Sequence, residues 1–203
     1  MTTSSVEICN LALDMLGIDN ITSMEEGTKQ SNICKKWYDV TRKSLLCNLN
    51  ATFSITRANL PEVADYIPAF GYKKAFALPN DCLKVLSLGD PSIDEYYQIE
   101  GDKFYCQKEI GKVEIRYIAD IQDVSLYDSQ FCELFALDLA VAICMPLTKD
   151  MQMKQYYEQM KNKKYIECSS KYGCDNRVVV INKPQFRNAR YNAEILNCNY
   201  PIL

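Results

Sequence analysis

Apolar residues recur at three- and four-residue spacing near both ends of this chain and at every second position in its middle. Ile8, Leu11, Ala12, Met15 and Leu16 keep the helical rhythm. Ser4-Ser5-Val6-Glu7 in front of them has the form of a capping box, in which the Ser4 hydroxyl accepts from the Glu7 amide. Gly17 supplies a stop, so a first helix is predicted over about 4–17. Beyond the turn-rich Asp19-Asn20-Ile21-Thr22-Ser23, the spacing of Ile33, Cys34, Trp37, Tyr38, Thr41, Leu45 and Leu46 predicts a second helix over about 29–47.

From about residue 51 to residue 120 the period drops to two. Phe53 and Ile55 alternate with polar neighbours, and Phe76 to Leu78 ends at Pro79-Asn80-Asp81. Leu83 to Leu86 forms a short apolar run bounded by Gly89-Asp90-Pro91. Tyr97 to Glu100 and Lys103 to Gln107 flank Gly101-Asp102, which is a hairpin signal. Val113, Ile115 and Tyr117 alternate with Glu114 and Arg116, as a half-buried strand does. The middle therefore reads as a small antiparallel β-region inserted between helices.

Helix returns at Asp128, a suitable N-cap, and is predicted over 128–146. Phe131, Leu134, Phe135, Leu137, Leu139, Val141, Ala142, Ile143 and Met145 cover almost its whole circumference. Such a helix is buried, in the centre of its own bundle or against a partner, and Pro146 is expected to break or kink it. The next helix, about 151–170, is polar: Lys154, Lys161, Lys163, Lys164 and Lys171 outnumber Glu158 and Glu167. A solvated face accounts for them, and Lys161, Lys163 and Lys164 are also candidates to face DNA in a phosphate-rich lumen.

After Gly173 the periodicity ends. Val178 to Ile181 is one apolar run, and beyond Pro184 asparagines alternate with Phe186, Tyr191, Ile195, Leu196 and Tyr200. These groups are too apolar for a solvated tail, and such a segment orders by packing on something else. Extended, residues 174–203 span about 90 Å. The predicted architecture is mainly α: a helical bundle with a small inserted antiparallel β-region makes up a body over 1–173, followed by an extended C-terminal arm over 174–203.

Composition narrows the chemistry. With 48 % hydrophobic and 24 % charged residues the chain has enough apolar mass for a core, and its net charge of −3 gives no overall attraction to nucleic acid or anionic membranes. The N-terminus lacks the basic start and apolar core of a secretory signal, and the stretch from Phe131 to Met145 is interrupted by Glu133 and Asp138, so no membrane partner is expected. The ten cysteines are scattered without a CxxC pair, and histidine is absent. Neither a zinc site nor Ser-His-Asp or Cys-His catalysis fits, phosphate-cradling glycine motifs are missing, and no metal, cofactor or catalytic residue is expected.

The run from Ile8 to Gly17 resembles the opening helix of the phage tail tubular protein A family, the head-to-tail connector or adaptor proteins of short-tailed phages. Trp37-Tyr38-Asp39 with Arg42 and Leu45-Leu46 is similar to that family's second helix. Phe53 to Leu60, Phe70-Gly71-Tyr72, and Leu78-Pro79-Asn80-Asp81-Cys82-Leu83-Lys84-Val85 are similar to its central segment. Ile115-Arg116-Tyr117-Ile118, Asp123 to Phe131 and Pro146-Leu147-Thr148 follow in the same order, so the resemblance spans about residues 6–165. Ala51-Thr52-Phe53 stands where the family often has Trp-Asn-Phe.

The resemblance implies a non-enzymatic virion protein of the neck or tail, made in the host cytoplasm. It implies a closed homo-oligomeric ring, typically twelvefold, that binds the portal protein above and a tail nozzle or tail tubular protein below. Such a ring continues the DNA channel and touches passing DNA without sequence preference. The C-terminal arm is expected to dock on the portal, with Tyr191, Ile195, Leu196 and Tyr200 as anchors, since aromatic and apolar groups dominate interface energetics. Two other classes fit parts of the sequence. A cell-wall glycan hydrolase needs only two carboxylates, for which Glu95 and Glu100 or Asp120 and Asp123 are candidates. A small DNA-binding regulator would use the lysine-bearing helix.

Overall fold

The computed structural model describes residues 4–63, 68, 70–90, 97–107 and 111–175. The chain runs α1 (Ser5–Met15), α2 (Lys29–Leu49), β1 (Ile55–Leu60), β2 (Lys74–Ala77), β3 (Cys82–Leu88), β4 (Tyr97–Glu100), β5 (Lys103–Cys106), β6 (Val113–Ala119), α3 (Ser129–Thr148) and α4 (Met151–Asp175). Short 3-10 turns at Thr52–Ser54 and Val124–Leu126 mark the two crossings between helical and β regions.

Local chemistry sets the helix ends. At α1 the Ser4 hydroxyl accepts from the Glu7 amide at 3.1 Å while the Glu7 carboxylate accepts from the Ser4 amide at 2.8 Å, so the capping box is formed. Gly17, at φ +66°, ends the helix by entering the left-handed region, which costs glycine little. Thr28 caps α2 and Asp128 caps α3 through side-chain oxygens. At the far end of α2, Lys84 Nζ donates to the Cys47 carbonyl and to Asn50 Oδ1, a cation at the negative pole of the helix.

Four helices are present, but the architecture is α+β and not the mainly α bundle that the sequence pattern implied. Among the described residues 53 % are helical and 21 % lie in strands, and the strands form two separate antiparallel sheets. One sheet has the order β1-β6-β3, the other β2-β5-β4. The residues 51–120 are thus a second structural half. The reason lies in β6. Val113, Ile115, Tyr117 and Ala119 point one way, into a core shared with Phe76, Phe104 and Cys106 of the other sheet. Ile118 points the other way and joins Ile55, Leu83 and Leu86 in the helical core. A sheet buried on both sides becomes the middle layer between helices and a second sheet. Register shifts between Cys82 and Lys84 and between Val85 and Ser87 let β3 serve both cores at once.

α3 is the hub of the helical layer, with α1, α2 and α4 packed around it. Phe131, Leu134, Phe135, Ala136, Leu139, Ala140, Ile143 and Cys144 are fully buried there. By length and apolarity this helix is able to cross a membrane, and here most of its surface is buried inside the protein. Pro146 does not end the helix as expected. α3 continues to Thr148 and closes on Lys149 in the left-handed region. In the last turn a proline removes only one hydrogen bond, so the cost is bearable. α4 likewise outruns the expected end near residue 170 and takes in Cys174 and Asp175, which the sequence reading had assigned to the arm.

Since Leu139 is fully buried at the packed side of α3, truncating it leaves a cavity. Leu139→Ala is expected to lose about 2–5 kcal/mol in urea unfolding, as for buried leucines generally. Leu126→Ala, half exposed at 54 %, should change it by no more than about 0.5 kcal/mol.

Candidate functional site

The lysine-bearing helix is the first place to look. Asp150 caps α4, with its side chain accepting from the Gln152 and Met153 amides at 2.8 and 3.0 Å. The helix turns Cys168 and Tyr172, both fully buried, into the core. Lys161 pairs with Asp138 at 3.3 Å, and Lys164 pairs with Glu133 and, at 3.8 Å, with Glu167. The hydrogen bond that the Lys164 ammonium donates to Glu133 holds it above its ordinary pKa. Two of the three lysines expected to face DNA are therefore struts between α4 and α3. Lys163 is exposed and has no ion pair among the described residues. The sequence carried a signal for these struts. Glu133 and Asp138 are the two carboxylates on an otherwise apolar helix, and the neighbouring helix offers lysines to match. Each such pair is partly solvated and contributes about 0–1 kcal/mol, so they set the angle of α4 more than its stability.

Asp128 ties the same two helices at their other end. One carboxylate oxygen accepts from the Phe131 amide at 2.9 Å, capping α3. The other accepts from the Tyr172 hydroxyl at 2.7 Å and from Lys171 at 3.1 Å. Burial pushes its pKa up, but these donors outweigh burial and hold it below the ordinary value.

At the junction of helices and sheet, Arg42 is 2 % exposed and reaches from α2 to the segment after β6. Its guanidinium donates to Asp120, to the Ile121 carbonyl at 2.8 Å and to Asp39 at 3.0 Å. Lys43 lies 3.4 Å from the second Asp120 oxygen. Both carboxylate oxygens of Asp120 are thus taken up by cations of α2 at the junction of helices and sheet. Of the other carboxylates weighed for glycan cleavage, Asp123 caps the turn at Ser125 and Glu100 is exposed at the end of β4. Glu95 lies outside the described residues.

The cysteines behave as core. Cys9, Cys34, Cys106, Cys132, Cys144 and Cys168 are buried and free. The Cys9 thiol is pushed up by its hydrogen bond with Cys34 and by burial, so it is a poor nucleophile. Among the described residues no cluster of metal-ligating side chains occurs.

Two open features of the helical layer are apolar. Leu11, Met15, Tyr127, Cys132 and Ala136 line a groove of about 320 Å³ between α1 and α3, with Ser129 and Glu133 at its rim. On α4, Tyr156, Met160 and Ile166 stand in solvent at 58, 40 and 66 % exposure. The sequence pattern passed over both, because Leu11 counts as one more member of a helical stripe and α4 reads as polar. The expected arm anchors Tyr191, Ile195, Leu196 and Tyr200 lie outside the described residues. No family model and no curated protein matches the chain.

Two measurements probe the joints. Arg42→Met strands Asp120 in a site only 11 % exposed, and a loss of about 3 kcal/mol or more is expected in urea unfolding. For Asp128 the folded pKa lies below the ordinary value of 3.8, so its contribution is complete above that pH and is lost as pH falls through the folded value. Asp128→Asn should be less stable than the parent at pH 7, and the difference should shrink as unfolding is measured at successively lower pH below 4.

Proposed function

We propose that the chain is a structural subunit of the ring that joins portal to tail in a short-tailed phage, standing in the virion neck around the DNA channel. The observation that carries this reading is the apolar groove between α1 and α3 around Leu11, with Tyr156, Met160 and Ile166 of α4 as further apolar side chains exposed elsewhere on the same subunit. A closed ring is built from heterologous contacts, in which each copy offers its neighbour two different surfaces. Apolar groups gathered on a protein surface mark such contacts.

The segments similar to tail tubular protein A support the same reading by their places in the fold. Ile8 to Gly17 is α1 with its glycine stop. The segment around Trp37 carries Arg42, which binds helices to sheet, and Leu78 to Val85 is the turn into β3. Asp123 to Phe131 holds the cap of α3. These are joints of the fold rather than interchangeable helix surface. In this reading the ring is twelvefold, residues 174–203 carry Tyr191, Ile195, Leu196 and Tyr200 to the portal, and the opposite face receives the nozzle or tail tubular protein. Lys163 is the one of the three candidate lysines left for passing DNA.

The test is electron microscopy of the purified chain mixed with portal particles from its own phage. A rotationally symmetric ring stacked on the portal is expected. Tyr156→Asp combined with Ile166→Asp should leave the circular dichroism unchanged and abolish the ring. A parent chain that stays monomeric in the presence of its portal would overturn the reading.

A further inference from the structure

The groove between α1 and α3 lies beside the point where the chain leaves the helical body. α4 runs antiparallel to α3: Lys161 pairs with Asp138, Lys164 with Glu133, and Lys171 and the Tyr172 hydroxyl with Asp128. The last turns of α4 therefore rest on the start of α3, where the Cys168 thiol meets the Gln130 carbonyl at 3.6 Å. Tyr127, Ser129 and Cys132, which flank these contacts along the chain, line the groove. Asp175, the last residue of α4, stands three positions beyond Tyr172.

Residues 176–203 follow, and their first apolar run comes at once. Val178, Val179, Val180 and Ile181 begin three positions past Asp175, a reach of about 10 Å at 3.3 Å per residue. Branching at Cβ favours extended backbone, which turns alternate side chains to one side. Four extended residues span about 10 Å, and so does the helix from Ser129 to Ala136 that forms one wall of the groove. The surfaces also match in character. Leu11 is 45 % exposed beside the buried Cys132 and Ala136. The charge at the rim is the Glu133 carboxylate, 56 % exposed even while it binds Lys164, and the residue in front of the apolar run is Arg177. A tether of a few residues gives the segment an effective concentration of about millimolar at its own groove, which a second copy in dilute solution does not reach.

We propose that in the free chain residues 178–181 lie in the subunit's own α1–α3 groove, with Arg177 beside the Glu133 carboxylate. The segment covers the apolar surface that a neighbouring copy takes in the ring and so holds the free subunit back from assembly. That consequence rests on the connector reading, whereas the docking rests on the groove and on the place where α4 ends. Residues beyond Pro184 are left for the portal.

The test is methyl NMR of the full chain without portal. Nuclear Overhauser contacts are expected between Leu11, Met15 or Ala136 and the methyl groups of residues 178–181, unchanged on dilution. Val179→Asp combined with Val180→Asp should abolish them, shift the Leu11 and Met15 methyl signals, leave the circular dichroism unchanged and let the chain self-associate at lower concentration in sedimentation velocity. A mixture of labelled and unlabelled chains identifies the occupant. Contacts that appear only between chains assign the groove to a second copy and overturn the proposal, as does a doubly substituted chain whose Leu11 and Met15 signals stay where the parent has them. A doubly substituted chain that loses the contacts yet self-associates no more readily overturns the holding role. Failure of the connector reading looks different: the contacts within the free chain persist and no ring forms on the portal.

Discussion

A helix that is apolar around most of its circumference must bury most of it, and α3 imposes that requirement on the rest of the molecule. α1, α2 and α4 surround it, and Phe131, Phe135 and Leu139 are shielded from water completely. Each large apolar side chain so buried contributes about 1.5–3 kcal/mol, which far exceeds what the surface ion pairs supply. The polar character of α4 follows from its outer place in this arrangement. It needs only a narrow apolar seam toward α3, and its lysines meet the two carboxylates that α3 leaves at the edges of the seam.

The second constraint is the attachment of the β half to this helical core. Arg42 spans the gap from α2 to Asp120 and Ile121, directly after the strand β6 that both cores share. A buried ion pair of this kind contributes little net stability compared with an apolar contact, because desolvating both charges offsets their attraction. What it supplies is geometry. The guanidinium accepts only a narrow set of positions for Asp39, Asp120 and the Ile121 carbonyl, so the entry into α3 is held relative to α2. Tyr127, whose hydroxyl donates to the same Ile121 carbonyl at 2.7 Å, continues the restraint to the helix start.

A body organised in this way leaves its chemistry at the edges. Buried cysteines and paired carboxylates serve the fold, while apolar side chains on α1 and α4 stand toward solvent.

Much of this was legible along the chain. The capping box at Ser4, the stop at Gly17, the cap at Asp128 and the hairpin around Gly101 depend on residues within four positions of one another, and all formed where the sequence placed them. The all-round apolarity of α3 also announced its burial, and only the structure showed that the protein's own helices provide it. The balance of the fold was not legible. Short strands such as Lys74–Ala77 and Cys82–Leu88 read as an insertion, because nothing local states that β6 pairs with both β1 and β3 or that a second sheet stacks on the first. The lysines of α4 read as a cationic stripe because their counter-ions lie on another helix. Sequence alone determined the elements and their caps, which are governed by neighbours along the backbone. Tertiary structure decided the layers, the ion pairs and the clefts, because these depend on residues far apart in the chain brought together only when both cores close.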